Sequence, residues 1–228
     1  MTTTLTRDGA REGAALEATR ATIVVGGDDV YEDLFGVADA TAQLLAEVGI
    51  AATIRVGTTA FLAAPAPDLF VLDTALPELT DERVDALVAA VRAGSGLLVL
   101  HASAVAPEGS AGDRLAVLVG ARFASHGPTP HESRFFVELD DAHPITVGIH
   151  DFDVDHEHYA LEVAPGSRAI AWRRSATGRE PVVLVREDGA GRVCYVQLGH
   201  DTRPLGEPPV RALLARAAAW LTHHEKEV

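Results

Sequence analysis

Histidines and carboxylates gather at three places where an apolar run stops. His101 directly follows Leu97-Leu98-Val99-Leu100, and Gly199-His200-Asp201 closes the run 193–198. The segment Gly26-Gly27-Asp28-Asp29-Val30-Tyr31-Glu32-Asp33 follows the short β-branched run 21–25. Open α/β sheets bind ligands outside the carboxyl ends of their strands, so all three are placed to meet a substrate. Histidine titrates near neutrality and can give or take a proton, while a carboxylate orients it or serves as partner base. The same side chains are the N and O donors that suit Zn²⁺ or a related divalent cation, which would polarise a carbonyl or activate water.

Further candidates lie between these points: His126, His131, His143-Pro144-Ile145 and Asp155-His156-Glu157-His158-Tyr159. On an extended backbone His156 and His158 point one way and Glu157 the other. The tripeptide therefore cannot offer all three groups to one metal: either the two histidines face solvent and Glu157 faces the site, or the reverse. At the first turn, glycines allow close backbone approach to a ligand, but four carboxylates oppose a phosphate there. Asp28, Asp29 and Glu32 either complement the dipole of the following helix or bind sugar hydroxyls or a cation.

The elements that must carry these residues alternate between apolar runs and helical periodicity, the signature of βαβ units. Leu34, Val37, Ala38, Thr41, Leu44, Leu45 and Val48 share a helix face, with Gly49 at the expected end. Strands follow at 52–56 and 69–72. Thr80 is placed to cap a second helix ending near Gly94, and 96–100 has the composition of a central strand. Residues 104–148 are rich in Gly, Pro and His and read as loops around one strand, 133–139. Runs 182–186 and 192–198 flank Asp188-Gly189, a hairpin signal with an intervening loop longer than two residues. A last helix covers 209–222.

Composition narrows the partners. At 228 residues, the chain can bury one large core, and its formal net charge of −14 opposes binding to nucleic acid or to anionic membrane. The single cysteine, Cys194, excludes an internal disulfide and a Cys-cluster metal site. No apolar run reaches the length of a membrane span. Residues 1–20 lack the apolar core of a secretory signal and read as a disordered tail ahead of a single domain over 21–224, with the cytoplasm as the default location.

Taken together, the motifs resemble the ThuA-like (trehalose-utilisation) family. They are Gly-Gly-Asp-Asp-Val-Tyr at 26–31, Gly-Leu-Leu-Val-Leu-His at 96–101, Gly-Ala-Arg-Phe-Ala-Ser-His at 120–126, His-Pro-Ile-Thr at 143–146, His-Glu-His-Tyr at 156–159, and Gly-Arg-Val through Gly-His-Asp over 191–201. The resemblance implies a three-layer, flavodoxin-like fold similar to class I glutamine amidotransferases, with a mainly parallel central sheet and helices on both faces. It places His101 where those enzymes carry the nucleophilic cysteine and matches His200 to their triad histidine. An imidazole cannot form the thioester with glutamine, so glutaminase activity is not expected.

What the resemblance implies instead is carbohydrate catabolism, on trehalose-like disaccharides or keto derivatives. In that setting His101, His200 and Glu157 are the catalytic residues, and Gly27, Asp28, Asp29, Tyr31, Glu32, Tyr159 and Asp201 bind the substrate. The metal alternative uses His101, His126, Glu157 and His200. A third reading is a non-catalytic sugar-binding or regulatory protein that keeps the cleft. The expected partner is a small-molecule sugar, and the expected assembly a homo-oligomer, most simply a dimer. Two departures from the family pattern stand out: Glu32 where members often carry histidine, and His156 where they often carry aspartate.

Overall fold

The computed structural model describes residues 18–27, 30–127, 130–175 and 178–224. Most of the N-terminal tail assigned to 1–20 falls outside them, as do Asp28 and Asp29. The first half follows the predicted rhythm: β1 (Arg20–Gly27), α1 (Leu34–Glu47), β2 (Ala51–Val56), β3 (Leu69–Ala75), α2 (Asp81–Arg92) and β4 (Gly96–Leu100). Capping residues set the helix starts. The Asp33 carboxylate accepts from the Gly36 N–H at 3.1 Å, and Thr80 Oγ1 from the Arg83 N–H at 3.3 Å.

The second half is richer than the sequence reading. The stretch taken as loops around one strand holds α3 (Ser110–Val119) and β5 (Ala121–Ser125) before β6 (Glu132–Leu139). Then come β7 (Phe152–Glu157), β8 (Ala160–Val163), β9 (Arg168–Ser175), β10 (Gly178–Asp188), β11 (Gly191–Val196), the short α4 (Thr202–Leu205) and α5 (Pro208–Leu221). Strands β10 and β11 extend further toward each other than expected. Asp188 pairs with Gly191, so the hairpin turns on Gly189-Ala190 alone, with Gly189 at φ +66°.

Nine strands form one sheet in the order β2-β1-β3-β4-β11-β10-β9-β6-β7, and β5 pairs with β8 apart from it. Here the expectation of a mainly parallel sheet is corrected. The segment from β2 to β11 is parallel, whereas every pairing from β11 to β7 is antiparallel. Strands β9, β10 and β11 follow one another by short turns, which only antiparallel neighbours allow, and β6 and β7 add antiparallel strands beyond β9.

Burial follows position. Every residue of β3 and β4 is buried, as expected for central strands covered on both faces. Alternate residues feed two cores. Val71, Leu98 and Cys194 join α1 and α5 on one side, while Phe70, Leu97 and Tyr195 join α2 and α3 on the other. Among the described residues no helix is long and apolar enough to cross a membrane.

The parallel strands β1, β3, β4 and β11 all end at one edge. Gly27 makes the departure of β1 possible: at its φ of +139°, a Cβ would lie 1.7 Å from the carbonyl oxygen of Ala75. Glu32 lies at the same edge, just ahead of α1. The N–H of Asp33 donates to the carbonyl of His200 at 3.2 Å, tying that turn to the end of β11.

Candidate active site

His101 begins a short 3-10 turn, His101–Ala104, immediately after β4, with φ +28°, a conformation uncommon for a residue with a side chain. Tyr195 Oη donates to its carbonyl at 3.2 Å and so anchors the bend from beneath. The His101 ring is fully buried, and its Nδ1 lies 2.7 Å from the carbonyl oxygen of Gln197. A carbonyl can only accept, so the proton of the neutral ring sits on Nδ1 and the lone pair on Nε2. That lone pair faces Glu157 Oε2 at 3.0 Å and Glu32 Oε1 at 3.6 Å. Burial lowers the pKa of His101 to about 4, against the opposing attraction of Glu32.

His200 completes the group. Its Nδ1 is 3.1 Å from Glu32 Oε2 and 3.8 Å from Glu157 Oε2. The first contact is off the hydrogen-bond line, and both Glu32 Oε2 and His200 Nδ1 are buried without a hydrogen-bond partner. The neighbouring Glu32 carboxylate raises the His200 pKa above its usual value. Donor atoms of Glu32, His101, Glu157 and His200 all lie within 4.8 Å of one another. Two carboxylates and two imidazoles thus converge, with the His101 Nε2 lone pair facing carboxylate oxygens, a donor set that a divalent cation would satisfy. The outer contacts agree: a metal-binding histidine commonly donates its other N–H to a backbone carbonyl, as His101 does to Gln197.

The site residues read from the sequence take different places. His101, His200 and Glu157 are together. Glu32, assigned to substrate, stands among the donors, whereas His126, assigned to the metal, lies outside that group at the half-exposed rim, its Nε2 3.4 Å from Glu157 Oε1. Tyr159 is buried, stacks on the His101 ring at 4.1 Å and donates from Oη to Glu32 Oε1 at 3.1 Å. Gly27 shapes the edge as described. Tyr31 is exposed at the surface. Asp201 caps α4 and pairs with Arg203, whose N–H and Nε it receives at 2.8 and 2.7 Å.

Strand alternation at 156–158 resolves in neither of the two expected ways. His156 faces the core beside Phe152 and Val154, yet Glu157, the last residue of β7, also reaches the site. His156 does not reach the donor group. Its Nε2 accepts from the N–H groups of Gly199 and His200 at 2.9 and 3.1 Å, and its Nδ1–H donates to the Glu157 carbonyl. It is the post that holds the His200 loop, a role the sequence reading missed. His158 is also buried, stacked on Phe135 at 5.6 Å. Cys194 is sealed in the core, and burial raises its thiol far above the ordinary range.

The fold and site together define a mixed α/β domain with a His₂Glu₂ donor group at the carboxyl edge of its parallel strands. A family model described as ThuA, trehalose utilisation, matches residues 37–221, and the chain belongs to that family. Among solved structures, ThuA-like proteins from Parabacteroides merdae and Bacteroides uniformis superpose with TM-scores of 0.77 and 0.74, each at 16% identity. The first match covers 93% of both chains, and the second 96% of this chain and 97% of the other. A β-galactosidase from Rahnella sp. R3 shares the fold over 90% of this chain but 31% of its own length, at TM-score 0.66 and 17% identity. At these identities the likeness establishes the fold alone. No curated protein matches the chain.

Proposed function

We propose that this ThuA family member is a divalent-metal-dependent enzyme of carbohydrate catabolism, acting in the cytoplasm on trehalose, a related disaccharide or a keto derivative. The family supplies the substrate class. The observation that carries the chemistry is the convergence of Glu32, His101, Glu157 and His200, with Glu32 Oε2 and His200 Nδ1 buried 3.1 Å apart and not hydrogen-bonded. The parallel run β2-β1-β3-β4-β11, with helices on both faces, supports the finer flavodoxin-like, amidotransferase-like description of the fold. Glutaminase chemistry is no part of the proposal, since the edge offers an imidazole and the one thiol is in the core.

Glu32, His101, Glu157 and His200 would hold the cation, which when bound polarises a sugar carbonyl or activates water. The protein's own groups do the rest. Gln197 fixes the His101 tautomer, and Tyr159 stacks over that ring and orients Glu32. His126, within 3.4 Å of Glu157 and half-exposed, is placed to pass a proton between solvent and that carboxylate. A homodimer in solution completes the proposal, checked by sedimentation.

One observation favours a second reading. His200 is held toward its protonated form by Glu32, the state in which it donates a proton, with Glu157 as partner base. Metal content separates the two. Near-stoichiometric zinc, manganese, iron or nickel in tag-free protein, lost in His101→Ala and His200→Ala, supports the metal enzyme. No retained metal after loading and washing sinks it, leaving proton transfer or plain sugar binding to be told apart by turnover of keto-disaccharides.

A further inference from the structure

A second concavity opens on the same edge of the sheet. It has a volume of about 460 Å³ and is walled by Gly27, Gly57, Thr59, Thr74, Leu76 and Arg83. Gly27, Gly57 and Leu76 lie at the ends of β1, β2 and β3, and Arg83 reaches in from α2, while His101 closes β4. Since β4 pairs with β3, β3 with β1 and β1 with β2, the cleft runs from one to three strand spacings away from His101, roughly 5 to 14 Å. One pyranose ring at the donor group does not cover that span; two linked rings do.

The two compartments share walls. Gly27, at the end of β1, lines the cleft, and Glu32, just ahead of α1, belongs to the donor group. On the other side, the Thr74 N–H donates to Ser103 Oγ at 2.8 Å, and Ser103 lies in the turn that His101 begins. The lining has the chemistry of a hydroxyl-rich neutral ring. Thr59 brings a hydroxyl, Arg83 brings N–H donors, and exposed Leu76 and Val56 give apolar surface for a C–H face. It is a poor phosphate site because the Arg83 charge is already countered. Its Nη1 donates to Thr58 Oγ1 at 3.1 Å and lies 3.6 Å from the Glu78 carboxylate.

We infer that this cleft is the subsite for the second ring of a disaccharide whose first ring sits at the Glu32–His101–Glu157–His200 group. The inference rests on the sugar-enzyme reading above and names what that reading leaves open, the place on this chain that receives the second ring. Thr59 is exposed on a short turn, so Thr59→Trp fills the cleft without disturbing the core; Arg83→Met removes its donor.

The test is calorimetric titration of zinc-loaded and metal-free protein with trehalose, glucose and inorganic phosphate, with circular dichroism and metal content as controls on folding. Wild-type protein is expected to bind trehalose at least tenfold more tightly than glucose. Thr59→Trp brings trehalose to the level of glucose with glucose affinity and metal content unchanged, and Arg83→Met weakens trehalose severalfold. Equal affinities in the wild type, no binding of either sugar, an unaltered trehalose affinity in Thr59→Trp, or displacement of trehalose by phosphate each overturns the subsite. Loss of metal loading with the trehalose preference intact overturns the metal reading instead.

Discussion

The Nδ1–H of His101 points at the carbonyl oxygen of Gln197, 2.7 Å away, and that one bond decides which nitrogen the site can use. The ring is left with its lone pair aimed at two carboxylates, an arrangement that calls for a cation between them. Because Gln197 lies just past β11 and His101 just past β4, the bond also locks together the two strands that supply His101 and His200.

Glu32 stands in the donor group where the sequence reading puts His126, and metal affinity separates the two. Glu32→Gln is expected to weaken zinc binding by more than tenfold, whereas His126→Ala keeps it within a few-fold. Competition against a chromophoric chelator measures both, and equal losses would remove Glu32 from the donor set.

Tyr159→Phe keeps the ring on His101 but removes the hydroxyl that orients Glu32. Such outer partners contribute about 10–100-fold to metal affinity. The variant is expected to lose metal affinity on that scale while its stability falls by only about 1 kcal/mol, the usual worth of one hydrogen bond. A large drop in stability with unchanged metal affinity would make Tyr159 a packing residue.

His156→Ala strips the acceptor from two adjacent backbone N–H groups, those of Gly199 and His200. Each unsatisfied buried donor costs about 1–3 kcal/mol. A loss of roughly 3 kcal/mol is expected in urea denaturation, together with weaker metal binding as the His200 loop slackens.

Stability should fall on mild acidification through His143, remote from the site. Its Nδ1 accepts from the Ile145 N–H at 3.2 Å, its ring packs on Trp220 at 5.2 Å, and burial lowers its pKa below 6.5. With the folded pKa depressed, its contribution is complete above 6.5 and is lost as pH falls from there toward the folded value. In His143→Gln the midpoint of thermal unfolding is expected to change less between pH 7 and 5.5 than in the wild type; identical slopes would exclude this histidine as the cause.

Cys194 is expected to resist thiol reagents in the native protein and to react at once in denaturant, since the thiolate is the reactive form and burial raises its pKa. Stoichiometric labelling under native conditions would contradict its place in the core.

Legibility from sequence tracked how much of each feature is local. Helices α1 and α2 announced themselves by periodicity and capping residues, and each of the three strand-end motifs contributes one residue, Glu32, His101 or His200, to the donor group. Helix α3 was hidden by Gly109 and Gly112. The second is there because a Cβ would meet the Pro107 carbonyl at 1.8 Å, a tertiary reason that local preference does not display. The antiparallel half was missed because β6 to β9 pair across the fold, so their register leaves no mark in any short window. The alternation argument at His156-Glu157-His158 failed since it assumed a strand continuing past Glu157. Glu32 reads as a carboxylate for sugar hydroxyls or a cation, yet it is absent from the four-residue metal set, because only the fold brings it beside His200.

Glu32 and His200 stand near opposite ends of the chain order, and Glu157 comes from the antiparallel half between them. Such widely separated partners meet late, after the costly long-range closures are made. While the polypeptide is being synthesised, the donor group cannot exist until the segment beyond β11 has emerged and docked. A bound cation would therefore act as the last fastener of the assembled sheet. At a hundredfold excess over its dissociation constant it adds about 2.7 kcal/mol to the finished state and nothing to the half-built ones.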